Sequence, residues 1–65
     1  MNAEDEAKMR EVALRKRLSE LGLSLAEFRR RAGLSRNVVY RLSKGGKPSP
    51  DQAAKMEPIL RTREG

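Results

Sequence analysis

Hydrophobic residues recur three or four positions apart through most of the chain, which is the spacing of one face of a helix. The pattern predicts four helices at about 3–21, 24–32, 35–44 and 50–61. No stretch alternates hydrophobic and polar residues in the way that a half-buried strand does. The sequence therefore predicts a small all-α domain that spans residues 1–65 and has one core.

The apolar face of each predicted helix contributes to that core. Pro58 lies inside the last helix and is expected to kink or shorten it, because proline has no backbone N–H group. A frayed tail is expected from Arg61 to Gly65. The predicted core residues are Leu14, Leu18, Leu21, Leu23, Leu25, Phe28, Ala32, Leu34, Val39, Leu42, Ala53, Met56 and Leu60.

Capping residues and glycines mark the predicted helix boundaries. Ser24 and Glu27 have the spacing of a capping box, in which each side chain accepts a hydrogen bond from the other residue's N–H group. Ser49 and Gln52 repeat that spacing. Gly33 can adopt the left-handed conformation that ends a helix, and the two short helices that it joins form a helix-turn-helix unit. Such consistent local signals are typical of an idealised or redesigned sequence, although compact natural domains show them too.

Positive charge is concentrated on this unit. The chain has a formal net charge of +6 at pH 7. Residues 28–50 contain seven basic residues and no acidic residue, whereas the rest of the chain contains eight basic and nine acidic residues. This distribution indicates a surface for a polyanion. The seven basic residues are Arg29, Arg30, Arg31, Arg36, Arg41, Lys44 and Lys47.

Several classes of function have no support in the sequence. The chain has no Cys and no His, and therefore lacks disulfides, thiolate chemistry and the usual zinc ligands. We expect no enzymatic activity, no metal, no cofactor and no small-molecule ligand. No apolar run approaches the ~20 residues that a transmembrane helix needs, and the acidic start at residues 4–6 is unlike a signal peptide. We expect a cytoplasmic, nucleoid-associated protein.

The stretch from Leu23 to Leu60 resembles the Cro and phage-repressor type of helix-turn-helix DNA-binding domain. The combined spacing of the matching segments is fairly specific, although no single segment is. The segments are Gly22-Leu23-Ser24, Ala32-Gly33-Leu34-Ser35, Arg41-Leu42-Ser43-Lys44-Gly45 and Pro48-Ser49. The resemblance implies a repressor-like or engineered protein that binds double-stranded DNA sequence-specifically, with the helix at 35–44 in the major groove.

The resemblance also implies which residues contact bases. Carried over by position, they are Ser35, Arg36, Asn37, Tyr40 and Arg41. Residues four positions apart share one face of a helix, which places Arg36 with Tyr40 and Asn37 with Arg41. Arginine can bind O6 and N7 of guanine, and asparagine can bind N6 and N7 of adenine.

Phosphate contacts are expected near both helices of the unit. Lysines on a glycine loop suit phosphate, because a phosphate contact fixes position and carries no sequence information. The family usually has Gln where this chain has Leu25, but backbone N–H groups at that helix N-terminus can still bind phosphate. The family also usually has Ala in place of Arg29, which must therefore lean outward unless the two helices cross more loosely. We interpret the basic cluster at 15–17 as a solvated face of the first helix. The predicted phosphate contacts are Ser24, Leu25, Arg30, Lys44, Gly45, Gly46 and Lys47.

Two other functions stay open at the level of sequence. An arginine-rich RNA-binding module is less well supported, because specific RNA recognition usually uses aromatic stacking and the chain has one Tyr and one Phe. A protein-interaction scaffold would need an exposed apolar patch, which the pattern does not show. A monomer is favoured because the last helix is short and holds Pro58, whereas a homodimer on DNA is the alternative.

Overall fold

A computed structural model describes residues 2–61 of the protein. No strand occurs between these residues, and the predicted all-α class is confirmed. None of the helices in this part of the chain is both long and apolar enough to cross a membrane. Residues 62–65, most of the tail that is predicted to fray, lie outside the described residues. The four helices are α1 (Ala3–Leu21), α2 (Leu25–Ala32), α3 (Arg36–Ser43) and α4 (Pro50–Arg61).

The predicted helix boundaries agree with the structure to within one residue. Ser24 and Ser35 are the N-caps immediately before α2 and α3, and the predicted ranges included them. α3 ends at Ser43, with Lys44 as its C-cap. α4 continues past Pro58, which therefore does not shorten it.

Two capping boxes fix the starts of α2 and α4, as predicted. Ser24 Oγ accepts the N–H group of Glu27 at 3.1 Å, and the Glu27 carboxylate accepts the N–H group of Ser24 at 2.9 Å. Ser49 and Gln52 make the same reciprocal pair, at 3.2 and 3.0 Å. These bonds satisfy N–H groups that have no partner within the helix, so the sequence itself sets both start points.

Gly33 makes the sharp turn between α2 and α3. Its φ of +70° lies in the left-handed region, where residues with a side chain are disfavoured. Its N–H group donates to the carbonyl oxygen of Arg29 at 2.9 Å, which satisfies one of the last carbonyls of α2. The turn thereby directs α3 away from α2 and leaves the N-terminus of α3 at the surface.

The core forms around Phe28, whose side chain is completely buried. Half-buried Leu23, Leu25, Ile59 and Leu60 pack against this core from outside. Val38 is also half-buried against it. The buried core residues are Leu14, Leu18, Phe28, Ala32, Leu34, Val39, Leu42 and Met56.

Two core predictions are not met: Leu21 is only half-buried and lies outside the core cluster, and Ala53 is exposed. Ala53 is the clearer error. It lies in the first turn of α4, where it lines an open groove together with Pro50 and Met56. Met56 lies one turn later and reaches the core. The periodicity correctly places both residues on one face of α4, but the other helices cover only the later part of that face.

The interpretation of residues 15–17 as a solvated face is wrong for Arg17, which is half-buried, whereas Arg15 is exposed as expected but also hydrogen-bonds to another helix. Arg17 Nε donates to the carbonyl oxygen of Leu60 at 2.6 Å. Arg15 Nη2 donates to the carbonyl oxygen of Ser43 at 3.3 Å, while its Nε pairs with Glu11. Both carbonyls lie in the last turn of a helix, where no intrahelical donor is available. These arginines therefore connect α1 to the C-terminal ends of α3 and α4.

Candidate nucleic-acid interface

α3 presents a polar face to solvent and an apolar face to the core. Val39 and Leu42 are buried, whereas Arg36, Asn37 and Tyr40 are exposed. Tyr40 keeps 65% of its surface accessible, a large value for an aromatic side chain. The two predicted faces of this helix are therefore present. The exposed face carries side chains that can bind the edges of bases.

Ser35 has a structural task in addition to its predicted contact with DNA. Its Oγ accepts the N–H group of Val38 at 3.2 Å and so caps α3. The residue is exposed, and its hydroxyl proton is not used by this bond. Ser35 can therefore cap the helix and donate a hydrogen bond outward at the same time.

Tyr40 and Lys44 interact on the outer surface of α3. The Lys44 ammonium group lies 5.6 Å from the centre of the Tyr40 ring, within the range of a cation–π interaction. Both residues are exposed, so the interaction is weak and reversible. It places a positive charge and an aromatic hydroxyl side by side near the C-terminal end of the helix.

Arg41 is exposed, but its guanidinium group points along the protein surface towards α4. Nη1 donates to the carbonyl oxygen of Lys47 at 3.0 Å, and Nη2 donates to Oε1 of Gln52 at 3.0 Å. Both terminal nitrogens of this predicted base-contacting residue are thus bound to the protein itself.

The backbone of Gly45 and Gly46 does not offer the donors that the sequence suggested. The N–H group of Gly45 donates to the carbonyl oxygen of Leu42 at 3.0 Å, and that of Gly46 donates to Arg41 at 2.9 Å. The end of α3 leaves carbonyl oxygens that need donors, and these two amides supply them. Phosphate contacts through these amides are therefore not available in this structure, whereas the side chains of Lys44 and Lys47 are exposed.

The N-terminus of α2 is only partly available to phosphate. The N–H group of Ser24 is bound by Glu27, and the Leu25 side chain is half-buried against the core. The N–H group of Leu25 belongs to the first turn, where backbone donors lack partners within the helix. Any phosphate contact at this end would therefore involve the backbone of Leu25 rather than its side chain.

Arg30 and Arg31 are exposed on α2, whereas Arg29 is half-buried. The pKa of the Glu27 carboxyl is lowered, mainly by the hydrogen bond from the Ser24 backbone. The Ser24 side chain and the charges of Arg31 and Arg30 act in the same direction, against some desolvation. Glu27 is therefore ionised at neutral pH and is the nearest negative charge to this arginine cluster in sequence.

The positive charge of residues 28–50 is not neutralised by ion pairs. Within residues 2–61, the ion pairs involve Arg15, Arg17 and Arg61, none of which belongs to this stretch. Six of the seven basic residues in the stretch are exposed. The surface that combines α3, the following loop and the end of α2 is therefore electropositive and suited to a polyanion.

The sequence that forms the glycine turn, the capped and exposed second helix and the positive surface lies within a match to a known family. The family model of the Cro/C1-type HTH DNA-binding domain matches residues 13–56. The chain belongs to this family. No curated protein and no solved structure matches the sequence.

Membership of the Cro/C1-type family makes DNA the partner of this protein and places it among the repressor-like domains of transcription regulation. Proteins of this kind are typically not enzymes. The match covers α2, α3 and their connections, together with the second half of α1 and the first half of α4. It begins after Arg10, so the first turns of α1 are an addition to the matched Cro/C1-type segment.

Arg10 and Arg15 make long-range hydrogen bonds that the sequence does not predict. Arg10 Nε donates to the carbonyl oxygen of Gly45 at 2.8 Å, and Arg15 reaches Ser43. The sequence does contain a pattern that indicates a buried position for Arg10. This residue lies between Ala7 and Leu14 at helical spacing, on the apolar side of α1. A half-buried arginine in such a stripe often has a fixed partner, because its charge must be satisfied there.

Proposed function

We propose that this Cro/C1-type domain binds duplex DNA sequence-specifically, with α3 in the major groove. The observation that carries the proposal is the exposed pair Arg36 and Asn37 in the first turn of α3. Both are exposed, whereas Val39 and Leu42 of the same helix are buried. Neither side chain makes a hydrogen bond within residues 2–61, so both are free to bind a base edge.

The chemistry of this pair suits direct recognition of bases. Arginine donates two hydrogen bonds to O6 and N7 of guanine, and asparagine both donates to and accepts from adenine. Ser35 adds a hydroxyl donor at the same end of α3, and Tyr40 adds a ring that can contact a thymine methyl group or a hydroxyl that can reach phosphate. In this arrangement the N-terminal half of α3 points at the bases.

Phosphate groups on either side of the groove are bound by side chains that flank α3. Lys44 and Lys47 follow the helix, and Arg30 lies on α2 before the glycine turn. The backbone at Leu25 supplies a further donor. These contacts position the domain but do not distinguish sequences.

A comparison of three alanine variants tests this assignment. Arg36→Ala and Asn37→Ala should each weaken binding to a preferred site by roughly 1–3 kcal/mol and relax the preference at one base pair. Lys47→Ala should weaken binding to all sequences about equally and reduce the log–log salt slope by roughly one unit. Exposed Lys55 lies on α4 outside the basic stretch, so Lys55→Ala is the matched control and should change neither quantity.

The measurement is binding to a site selected from random DNA, to its single-base substitutions and to an RNA duplex of the same sequence, at two salt concentrations. If Arg36→Ala lost affinity for every site equally, α3 would be holding phosphate rather than reading bases. Preferred binding to the RNA duplex would favour the alternative RNA-binding function.

We also propose that the protein is a monomer that reads one half-site. Among the described residues α4 spans Pro50–Arg61 and contains Pro58, and its exposed residues include charged Lys55, Glu57 and Arg61. Sedimentation of the free protein and of its complex with a selected site distinguishes the states. A dimer mass that does not change on dilution would overturn this proposal.

A further inference from the structure

Arg41 connects three parts of the structure through one guanidinium group. It extends from α3, binds the backbone of the 44–49 loop at Lys47, and reaches the capping box of α4 at Gln52. Oε1 of Gln52 accepts from Arg41 Nη2 at 3.0 Å and from the N–H group of Ser49 at 3.0 Å. The position of the loop therefore depends on Arg41 and on the start of α4 together.

Gly46 provides the space for this arrangement. A Cβ atom at Gly46 would lie 2.8 Å from Cγ and 2.9 Å from Nη1 of Arg41, which is closer than real Cβ atoms approach other atoms. The N–H group of Gly46 also donates to the Arg41 carbonyl oxygen. The Arg41 side chain thus lies directly over the loop backbone, and the loop sequence accommodates it.

This geometry separates Arg41 from Arg36, although both lie on the exposed side of α3. Bidentate recognition of guanine requires two N–H groups on one edge of the guanidinium. In Arg41 both terminal nitrogens are bound to the protein, whereas Arg36 makes no hydrogen bond within residues 2–61. The two observed bonds use two of the five N–H groups and hold the guanidinium of Arg41 towards the loop and α4, so a base contact in this orientation could use only the three remaining N–H groups.

We infer that Arg41 is a positioning residue, which holds the 44–49 loop so that Lys47 is presented to a phosphate group of DNA. The inference rests on the proposed function, because that function assigns Lys47 to phosphate. Arg41 holds the Lys47 carbonyl while the Lys47 ammonium stays exposed. Lysine cannot replace arginine in this role, since it lacks the planar fork that reaches two acceptors at once.

The test uses Arg41→Lys, which conserves the net charge but removes the two-point bridge. Each phosphate contact changes the ratio of affinities at 50 and 200 mM salt by about threefold. Arg41→Lys should therefore reduce that ratio by about threefold, as Lys47→Ala does, with base preferences intact. A thermal melt of each variant confirms that the domain is folded under the binding conditions.

A double-mutant cycle separates positioning from a general loss of stability. Adding Arg41→Lys to Lys47→Ala should cost little further affinity, because the contact that Arg41 supports is already absent. Lys44 provides the matched control, since the Arg41 side chain makes no hydrogen bond to it; only the Arg41 backbone carbonyl accepts the Lys44 N–H group, and Arg41→Lys leaves that bond unchanged. Arg41→Lys and Lys44→Ala should therefore be additive.

Three results would overturn the inference. An altered preference at one base pair in Arg41→Ala would make Arg41 a base-contacting residue. If Arg41→Lys kept the full affinity and salt slope, Arg41 would contribute only its charge. If the losses of affinity in Arg41→Lys and Lys47→Ala were additive, the two residues would act separately. The salt slope can be measured on any duplex, so these outcomes are distinct from a failure of Arg36 and Asn37 to read bases.

Discussion

Arg10 Nε donates a hydrogen bond to the carbonyl oxygen of Gly45 across 2.8 Å, and the two residues are 35 positions apart in the chain. The bond connects the early part of α1, which lies before the segment matched by the family, to the loop that follows α3. A charged donor on a partly buried carbonyl is stronger than an ordinary surface hydrogen bond. The extension of α1 therefore stabilises the end of the candidate recognition helix.

Loss of this bond should be measurable in the free protein. Arg10→Ala is expected to lower the free energy of unfolding by roughly 1–2 kcal/mol, because the Gly45 carbonyl loses a charged donor. Urea unfolding monitored by circular dichroism measures the change. Lys8→Ala removes an exposed cation from the same helix and should have little effect. Equal losses in the two variants would show that the bond contributes nothing.

Gly45 should tolerate no side chain. Its φ is +96°, and a Cβ atom there would lie 2.2 Å from the carbonyl oxygen of Ala7. Gly22 is the matched control, because its φ is +70° but nothing lies within 4 Å of the corresponding Cβ position. Gly22→Ala should cost about 1–2 kcal/mol for the left-handed conformation alone.

Gly45→Ala should destabilise the domain clearly more than Gly22→Ala, since the backbone of α1 must also move. Thermal unfolding of both variants under identical conditions compares them. Similar melting temperatures would mean that α1 does not approach the loop as closely as described.

Local signals explain why much of this fold could be predicted from sequence. The capping pair Ser24 and Glu27 lies within one helical turn, and the burial of Phe28 follows from the spacing of apolar residues around it. Neither requires knowledge of the rest of the chain. The membership of the chain in the Cro/C1-type family likewise depends on short segments at fixed spacing.

The features of the site that the sequence does not reveal depend on contacts between distant elements. Whether the Arg41 guanidinium faces DNA or α4 depends on Gln52, which lies 11 positions away. The Gln52 oxygen comes within reach of Arg41 only when α4 has packed against the rest of the domain. The amides of Gly45 and Gly46 were expected to bind phosphate, but the carbonyls at the end of α3 use them. Periodicity gives the face of a helix on which a residue lies, but not which competing partner it binds.

Phe28 should dominate the stability of the core. Phe28→Ala is expected to cost roughly 3–5 kcal/mol, since the completely buried ring would leave a cavity at the centre of the helices. In so small a domain this loss can abolish folding. Phe28→Leu keeps part of the side-chain volume, so its loss of stability should be smaller than that of Phe28→Ala but still measurable. Met9→Ala, at a residue 57% exposed, is the control. A melting temperature of Phe28→Ala equal to that of wild type would contradict the described packing.

The capping box of α2 should make stability depend on acid pH. The folded-state pKa of Glu27 is lowered from 4.5, chiefly by the hydrogen bond from the Ser24 backbone. Its contribution to stability is therefore complete above the unfolded-state pKa and is lost as the pH falls through the lower folded-state pKa. The melting temperature of wild type should be higher than that of Glu27→Gln at neutral pH. The difference between the two melting temperatures should shrink as the pH falls below 4.5.

The second capping box offers the reciprocal experiment. Gln52 occupies the position in α4 that Glu27 occupies in α2, and its amide does not titrate. Gln52→Glu should therefore add a loss of stability at acid pH that wild type lacks at this site. Melting temperatures measured from neutral to acid pH for both variants test the two boxes together. A difference between wild type and Glu27→Gln that stayed constant with pH would contradict the role of the ionised carboxylate.

DNA binding should weaken steeply as salt is added, because the positive charge of residues 28–50 has no intramolecular ion pairs among the described residues. Four to six phosphate contacts would give a log–log slope of roughly −4 to −5, at about −0.9 for each phosphate. Arg30 and Arg31 allow a matched test, since both are exposed and each change to Gln removes one charge. Neighbouring residues on a helix point in different directions, so they cannot both face the same phosphate. Arg30→Gln should therefore flatten the slope by about 0.9, and Arg31→Gln should leave it nearly unchanged. If both variants flattened the salt slope equally, affinity would depend on the overall charge of the domain rather than on phosphate contacts at defined positions.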